Sequence, residues 1–318
     1  MGRVLVSGGA GFLGSHLCDA LLAAGHEVTA IDDLSTGTRA NLQAAGAHAR
    51  FHFEQADVLQ PLCGQYDRLY HLACPASPAQ YRRDPVRTLK VAVTGTLHAL
   101  ELAAQTGARL LLASTSEVYG DPLIHPQPES YFGNVDTQGT RACYDEGKRA
   151  AETLVADFVR TRRVDARTAR IFNTYGPRMA LADGRVVTNF IVAALQGKPL
   201  QLTGGGGQGR SFCYVDDLIA GLTGLMETHS AHASAPTNLG MPQQISVREL
   251  AHLVIRLTGS KSTLADTPGE AGDPARRCPD ISRARAMFGF DPKTGLEQGL
   301  LRTIDYARGA LASAATVR

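Results

Sequence analysis

The chain has 318 residues, 44% apolar and 19% charged, a composition that supports a buried core and excludes a disordered chain. Its net charge of +2, from 32 basic and 30 acidic residues, gives no reason to expect nucleic acid as a partner. No apolar run approaches the ~18 residues that a membrane span requires, so no membrane partner is expected.

In chain order, residues 4–6 form a short apolar strand that runs into Gly8-Gly9-Ala10-Gly11-Phe12-Leu13-Gly14. A helix is predicted over 15–24, closed by Gly25, and a strand over 27–31 that ends at Asp32-Asp33. Strands follow at 50–54 and 68–73, a helix at 86–106, and a continuous apolar strand at 109–114 of the kind covered on both faces. A helix at 148–162 and a strand at 165–171 complete the alternation. Beyond Tyr175 the rhythm breaks: a helix at 186–195, a tight glycine turn at 204–207, a strand-helix pair at 212–225, then a mixed segment whose tail, 310–318, is expected to fray. This order predicts an α/β fold, a Rossmann-type doubly wound parallel sheet with a smaller, discontinuous mixed α/β domain for substrate. Residues 1–175 with about 211–240 would form the cofactor domain, and about 176–210 with 241–318 the other.

Cysteines at 18, 63, 74, 143, 213 and 278 are scattered, with no C-x-x-C pair. That spacing argues against a disulfide framework or a zinc site, so no metal is expected and a cytosolic setting follows. A secretion signal is not expected either, because Met1-Gly2-Arg3 leads straight into the first strand.

Gly9-x-Gly11-x-x-Gly14, with Gly8 before it, is a dinucleotide fingerprint in the required context: it follows a strand and opens a helix. The glycines permit a tight turn, let a pyrophosphate reach the helix N-terminus, and let helix and strand pack closely. Asp32 stands 18 residues after Gly14, at the end of the second strand, where it would accept hydrogen bonds from a ribose and repel a 2′-phosphate. NAD is therefore expected, with Arg39 as the nearby cation that could admit NADP. Asp57-Val58, after the third strand, would lie near the adenine. Tyr144-x-x-x-Lys148 places a phenol and an ammonium on one helical face. The ammonium and a positive nicotinamide would favour the phenolate, making Tyr144 a general base for a sugar hydroxyl. Thr115, at the end of the preceding strand, is the candidate third hydroxyl.

Longer strings carry a family resemblance: 71–78 (His-Leu-Ala-Cys-Pro-Ala-Ser-Pro), 110–122 with Ser114-Thr115-Ser116-Glu117-Val118-Tyr119-Gly120, 141–149 (Arg-Ala-Cys-Tyr-Asp-Glu-Gly-Lys-Arg) and 170–179 with Asn173-Thr174-Tyr175-Gly176-Pro177. Asp183-Gly184-Arg185 and Pro279-Asp280-Ile281 extend them. Over essentially its whole length the chain resembles the extended short-chain dehydrogenase/reductases that modify nucleotide sugars, and within them the UDP-glucuronate decarboxylases. It departs from that pattern at 205–209 and at Cys278.

The resemblance implies NAD as cofactor, UDP-glucuronate as substrate, UDP-xylose as product, and a homodimer built on helices 86–106 and 148–162. It implies that Ser116, Glu117 and Arg277 act with Tyr144, Lys148 and Thr115, with Arg277 meeting the sugar carboxylate. Phe12, Leu13, Asp33, Ser35, Thr36, Gly37, Leu72, Cys74 and Thr174 would complete the cofactor contacts. Arg210 and Asn173 would hold the diphosphate, Val187 and Asn189 would lie along the nucleotide, and Gln201 near the uracil, with Tyr81 and Lys90 near the sugar. A 4,6-dehydratase is disfavoured because Ser116 stands where a carboxylic acid would protonate the leaving hydroxyl. A 4-epimerase has no use for Glu117. A non-catalytic NAD-binding protein would not be expected to keep both Tyr144 and Lys148.

Overall fold

The computed structural model describes residues 1–269 and 274–316. Seven strands build the main sheet: β1 (Arg3–Ser7), β2 (Glu27–Asp32), β3 (Phe51–Gln55), β4 (Arg68–His71), β5 (Arg109–Thr115), β6 (Ala166–Ile171) and β7 (Thr237–Leu239). Every neighbouring pair is parallel, in the spatial order 3-2-1-4-5-6-7. The winding reverses between β1 and β4, which opens a crevice at the carboxyl ends of these strands.

Side chains alternate across the sheet with the two-residue strand period. Val4, Val6, Val28, Ala30 and Leu111 join one apolar cluster with the helices Phe12–Ala23 and Val215–Glu227. Leu5, Ile31, Leu69, Leu110 and Leu112 join the other, with the helices Thr96–Thr106 and Ala142–Arg162. β5 is buried through its last six residues, as its apolar run predicts.

Three helical boundaries differ from the sequence reading. The first helix begins at Phe12, because the extended backbone of Gly11 already serves as its N-cap. The helix carrying Tyr144 begins at Ala142, not at 148, so the tyrosine lies in its first turn. The segment predicted as one helix over 86–106 is Pro85–Lys90, a π turn at Val91–Gly95, and then Thr96–Thr106. The tail also differs. A helix spans Leu296–Thr316 and sinks Leu300, Ile304 and Ala307 into the core at helical spacing. Residues 317–318 of the expected fraying tail lie outside the described residues.

After β6 the chain leaves the sheet, returns for Val215–Glu227 and β7, and leaves again. Outside the sheet Leu200–Thr203 pairs in parallel with Leu264–Thr267, and the glycine turn at Gly204–Gly206 follows the first of them. Gly209–Ser211 lies between Gln244–Ser246 and Arg276–Arg277. That last pairing sets Arg210 directly beside Arg277. Among the described residues no helix is long and apolar enough to cross a membrane.

The turn after β1 shows why glycine is needed there. Gly8 has φ +74°, a left-handed conformation costly for other residues. A Cβ on Gly14 would stand 2.1 Å from the Gly8 carbonyl oxygen. Gly14→Ala should therefore destabilise the protein by about 2 kcal/mol or more, since the clash is with backbone. Gly46→Ala, where a Cβ meets nothing within 4 Å, is the control and should be neutral or mildly stabilising. Urea unfolding of both variants checks this, and equal midpoints would contradict it.

Candidate active site

A cavity of about 790 Å³ opens along the carboxyl ends of the sheet strands. At one end the helix Phe12–Ala23 has no side-chain cap, so its first N–H groups remain available to an anion such as a pyrophosphate. Beyond that turn Asp32 is 8% exposed and accepts from the amides of Ala10 (3.0 Å) and Leu34 (2.8 Å). Burial pushes its carboxyl up, and those amides pull it back toward the ionised form. Gly37 does not line the cavity. It backs Asp32, where a Cβ would stand 2.9 Å from both carboxylate oxygens.

Arg87, which the sequence reading did not single out, bridges Asp33 and Asp57, at 2.8 Å from each. Burial works against ionisation of Asp33, but hydrogen bonds from Ser35 and Arg87 outweigh it and hold its carboxyl below the usual range. Asp57 also accepts from the Leu59 amide at 3.0 Å. Arg39 donates to Gln55 at 3.1 Å and lies over the Phe53 ring, away from the cavity wall.

At the other end of the cavity Tyr144 and Lys148 are 6% and 3% exposed. Lys148 Nζ donates to the Ala113 carbonyl at 2.7 Å. The Thr115 side chain hydrogen-bonds to Tyr144, yet burial still pushes the phenol well above the ordinary tyrosine range. Nearby His71 is neutral, because burial and then Lys148 hold its pKa down to about 3.

Glu117 occupies the turn after β5, where its amide donates to Thr115 Oγ1 at 3.2 Å. Its carboxylate is gripped by Arg277 through Nη1 (2.6 Å) and Nη2 (3.0 Å), and by Arg141 through Nη2. Burial opposes its charge, but the two guanidiniums win and lower its pKa. Arg277 therefore holds Glu117 through both end nitrogens, and it also lines the cavity, where the sequence reading expects it to meet the sugar carboxylate. Arg141 was missed, although it stands one helical turn before Tyr144 in the motif already quoted.

The remaining expected cofactor residues line the cavity: Gly8, Gly11, Phe12, Leu13, Gly14, Ser35, Thr36, Val58, Leu72, Cys74 and Thr174. So do Ser116, Asn173, Val187, Asn189, Gln201 and Arg210. Lys90 and Tyr81, like Gly37, do not line it. Lys90 is exposed and off the cavity, because the helix Pro85–Lys90 presents Arg87 to it. Tyr81 is buried behind the wall, its ring stacked on Tyr144 at 5.2 Å between centroids and 3° between planes.

Residues 4–240 match the model of the NAD dependent epimerase/dehydratase family. The chain belongs to that family. It is 50% identical over 309 residues to UDP-glucuronic acid decarboxylase 1 of Xenopus tropicalis, covering 97% of this chain and 73% of that one. It is 51% identical over 299 residues to UDP-glucuronic acid decarboxylase 3 of Arabidopsis thaliana, covering 94% and 86%. Among solved structures it superposes on the UDP-glucuronic acid 4-epimerase of Bacillus cereus in complex with UDP-glucuronic acid and NAD. The TM-score is 0.87 at 27% identity, over 97% of this chain and 99% of that one.

The uncapped helix, the close glycine turn and the Asp32 carboxylate together fit NAD. NADP should bind at least ~10-fold more weakly, because Asp32 would meet the 2′-phosphate with like charge while Arg87 and Arg39 are engaged elsewhere. Titration calorimetry with both dinucleotides measures this, and equal affinities would overturn the assignment of Asp32.

Proposed function

We propose that the chain converts UDP-glucuronate to UDP-xylose and carbon dioxide, regenerating NAD in each cycle. The observation that carries the reading is the identity of about half the residues, over 94–97% of the chain, with relatives named for this decarboxylation. The residues at the site agree with it chemically. Tyr144, hydrogen-bonded to Thr115, takes the proton of the 4-hydroxyl as that carbon is oxidised. Bound NAD would take the hydride from carbon 4 and later return it, and its positive ring would add the charge beside Tyr144 that the protein alone lacks. Lys148 lies one turn along on the same face, placed to hold a ribose. Arg210, 6% exposed on the cavity wall, would hold the diphosphate.

Oxidation at carbon 4 leaves a ketone β to the carboxylate, and the C5–carboxylate bond can then break. Glu117, kept ionised by Arg141 and Arg277, presents a negative charge on the cavity wall. Arg141 and Arg277 on the same wall more than balance that charge, and their field favours the enolate that remains as the carboxylate departs as neutral carbon dioxide. The rival reading with a specific observation behind it is 4-epimerisation of the same sugar, the activity named for the Bacillus cereus structure. That structure shares only 27% of its residues with this chain, against 50–51% for the decarboxylases.

The family resemblance also supports a homodimer through the segments around Pro85–Thr106 and Ala142–Arg162, where the large apolar residues Val86 and Leu89 are 63% and 42% exposed. Six unbridged cysteines favour a cytosolic setting.

The test is NMR of the products from UDP-glucuronate and NAD. The expected outcome is UDP-xylose with matching carbon dioxide and no net NADH. A 4-epimer without carbon dioxide, or a 4-keto-6-deoxy sugar, would overturn the reading. Tyr144→Phe should lose at least ~100-fold in turnover while binding NAD almost as well.

A further inference from the structure

Decarboxylation has a proton balance that Tyr144 does not close. The C5–carboxylate bond breaks, its electron pair enters the ketone as an enolate, and carbon dioxide leaves. A C5–H bond must then form, so each turnover takes one proton from water. The proton that Tyr144 removes from the 4-hydroxyl returns to that same oxygen when the hydride comes back.

A second acid lies behind the cavity wall. Asp145 follows Tyr144, is 6% exposed, and does not line the cavity. Its Oδ1 is buried without a hydrogen-bond partner in the protein. The hydroxyl of Tyr81, the ring stacked on Tyr144, is in the same condition. The Asp145 carboxyl lies in the field of Glu117 in the turn after β5, Arg141 and Glu146 on its own helix, and Arg277 on the strand Arg276–Arg277. Tyr81 faces Asp145, Glu117, Arg141 and Arg82. A buried carboxylate oxygen without a donor favours the protonated acid. Burial, then the charge of Glu117, raises the Asp145 pKa to about 7 against the pull of Arg141 and Arg277.

We propose that Asp145 is the proton reserve for carbon 5, passing its proton to Glu117, which delivers it to the enolate, and taking another from solvent. Asp145 is thus a positioning residue that acts through Glu117, the carboxylate of the cluster that lines the cavity beside Arg141 and Arg277. Because the two guanidiniums hold Glu117 ionised, a proton reaching it is passed on rather than kept. The inference rests on the decarboxylase reading.

Rapid-quench kinetics on the full-length protein with NAD and UDP-glucuronate, from one pH unit below neutrality to one above, separate carbon dioxide release from UDP-xylose formation. In the wild type, UDP-xylose formation should slow as pH rises through about 7, where Asp145 loses its proton, while carbon dioxide release does not. In Asp145→Asn, carbon dioxide release should stay near the wild-type rate on the acid side. UDP-xylose formation should fall at least ~10-fold, lose its pH dependence and leave bound NADH standing. Asp145→Glu should restore the pH dependence. Both steps falling together in Asp145→Asn, or neither changing, would overturn the assignment. If Asp145→Asn does not fold, a wild-type profile for UDP-xylose formation that is flat through neutrality overturns it instead. A wild type that releases no carbon dioxide overturns the decarboxylase reading and this inference with it.

Discussion

The candidate chemistry turns on one buried carboxylate. Glu117 sits at the mouth of the main sheet, and a carboxylate there must be paired or it takes up a proton. It is paired twice, with Arg141 from the start of the tyrosine helix and with Arg277 from an outlying strand. Three separate segments must therefore meet before the site exists. The partners Glu117 and Arg277 lie 160 residues apart in the chain. Removing Glu117 would leave two guanidiniums without their shared carboxylate in the wall, which costs more than the pair contributes as a bond. The strand pairing that sets Arg277 beside Arg210 then ties this charge cluster to the residue proposed for the diphosphate.

The far end of the cavity follows the same logic with opposite exposure. Asp33 and Asp57 are half-buried and share one guanidinium, Arg87, across the adenosine end expected from the glycine turn. Pairs as open to water as these contribute little to stability. Their effect is to fix two acids of the cofactor end in place while leaving Asp32, held by backbone amides, as the carboxylate presented to a ribose. An enzyme that must return its hydride in every cycle gains from a cofactor held firmly at both ends.

Much of this was legible in the sequence where the cause is local. The glycine turn, the acid at the end of β2 and the tyrosine–lysine pair each depend on a few neighbouring residues, and each lies where the spacing places it. The doubly wound order followed from alternating periods, and β5 from its apolar run. The misreadings have one physical source. Whether Tyr81 and Lys90 reach the cavity depends on how two short helices, Pro78–Tyr81 and Pro85–Lys90, are rotated against Ala142–Arg162, which no spacing within them fixes. The roles of Arg87 and Arg277 depend on partners 54 and 160 residues away, so a motif could mark Arg277 as important without giving its partner. Arg141 carried a signal, its place one turn before Tyr144. Asp145 carried none, because an acid on a helix reads as solvated until burial is known.

The most direct measurement is a single turnover of Glu117→Gln with UDP-glucuronate, following bound NADH by absorbance and carbon dioxide by trapping. If the Glu117 charge cluster directs the fate of the keto sugar, NADH should still form while carbon dioxide release slows by at least ~10-fold. Carbon dioxide released at the wild-type rate would show that Glu117 has no part in the chemistry and would contradict the account.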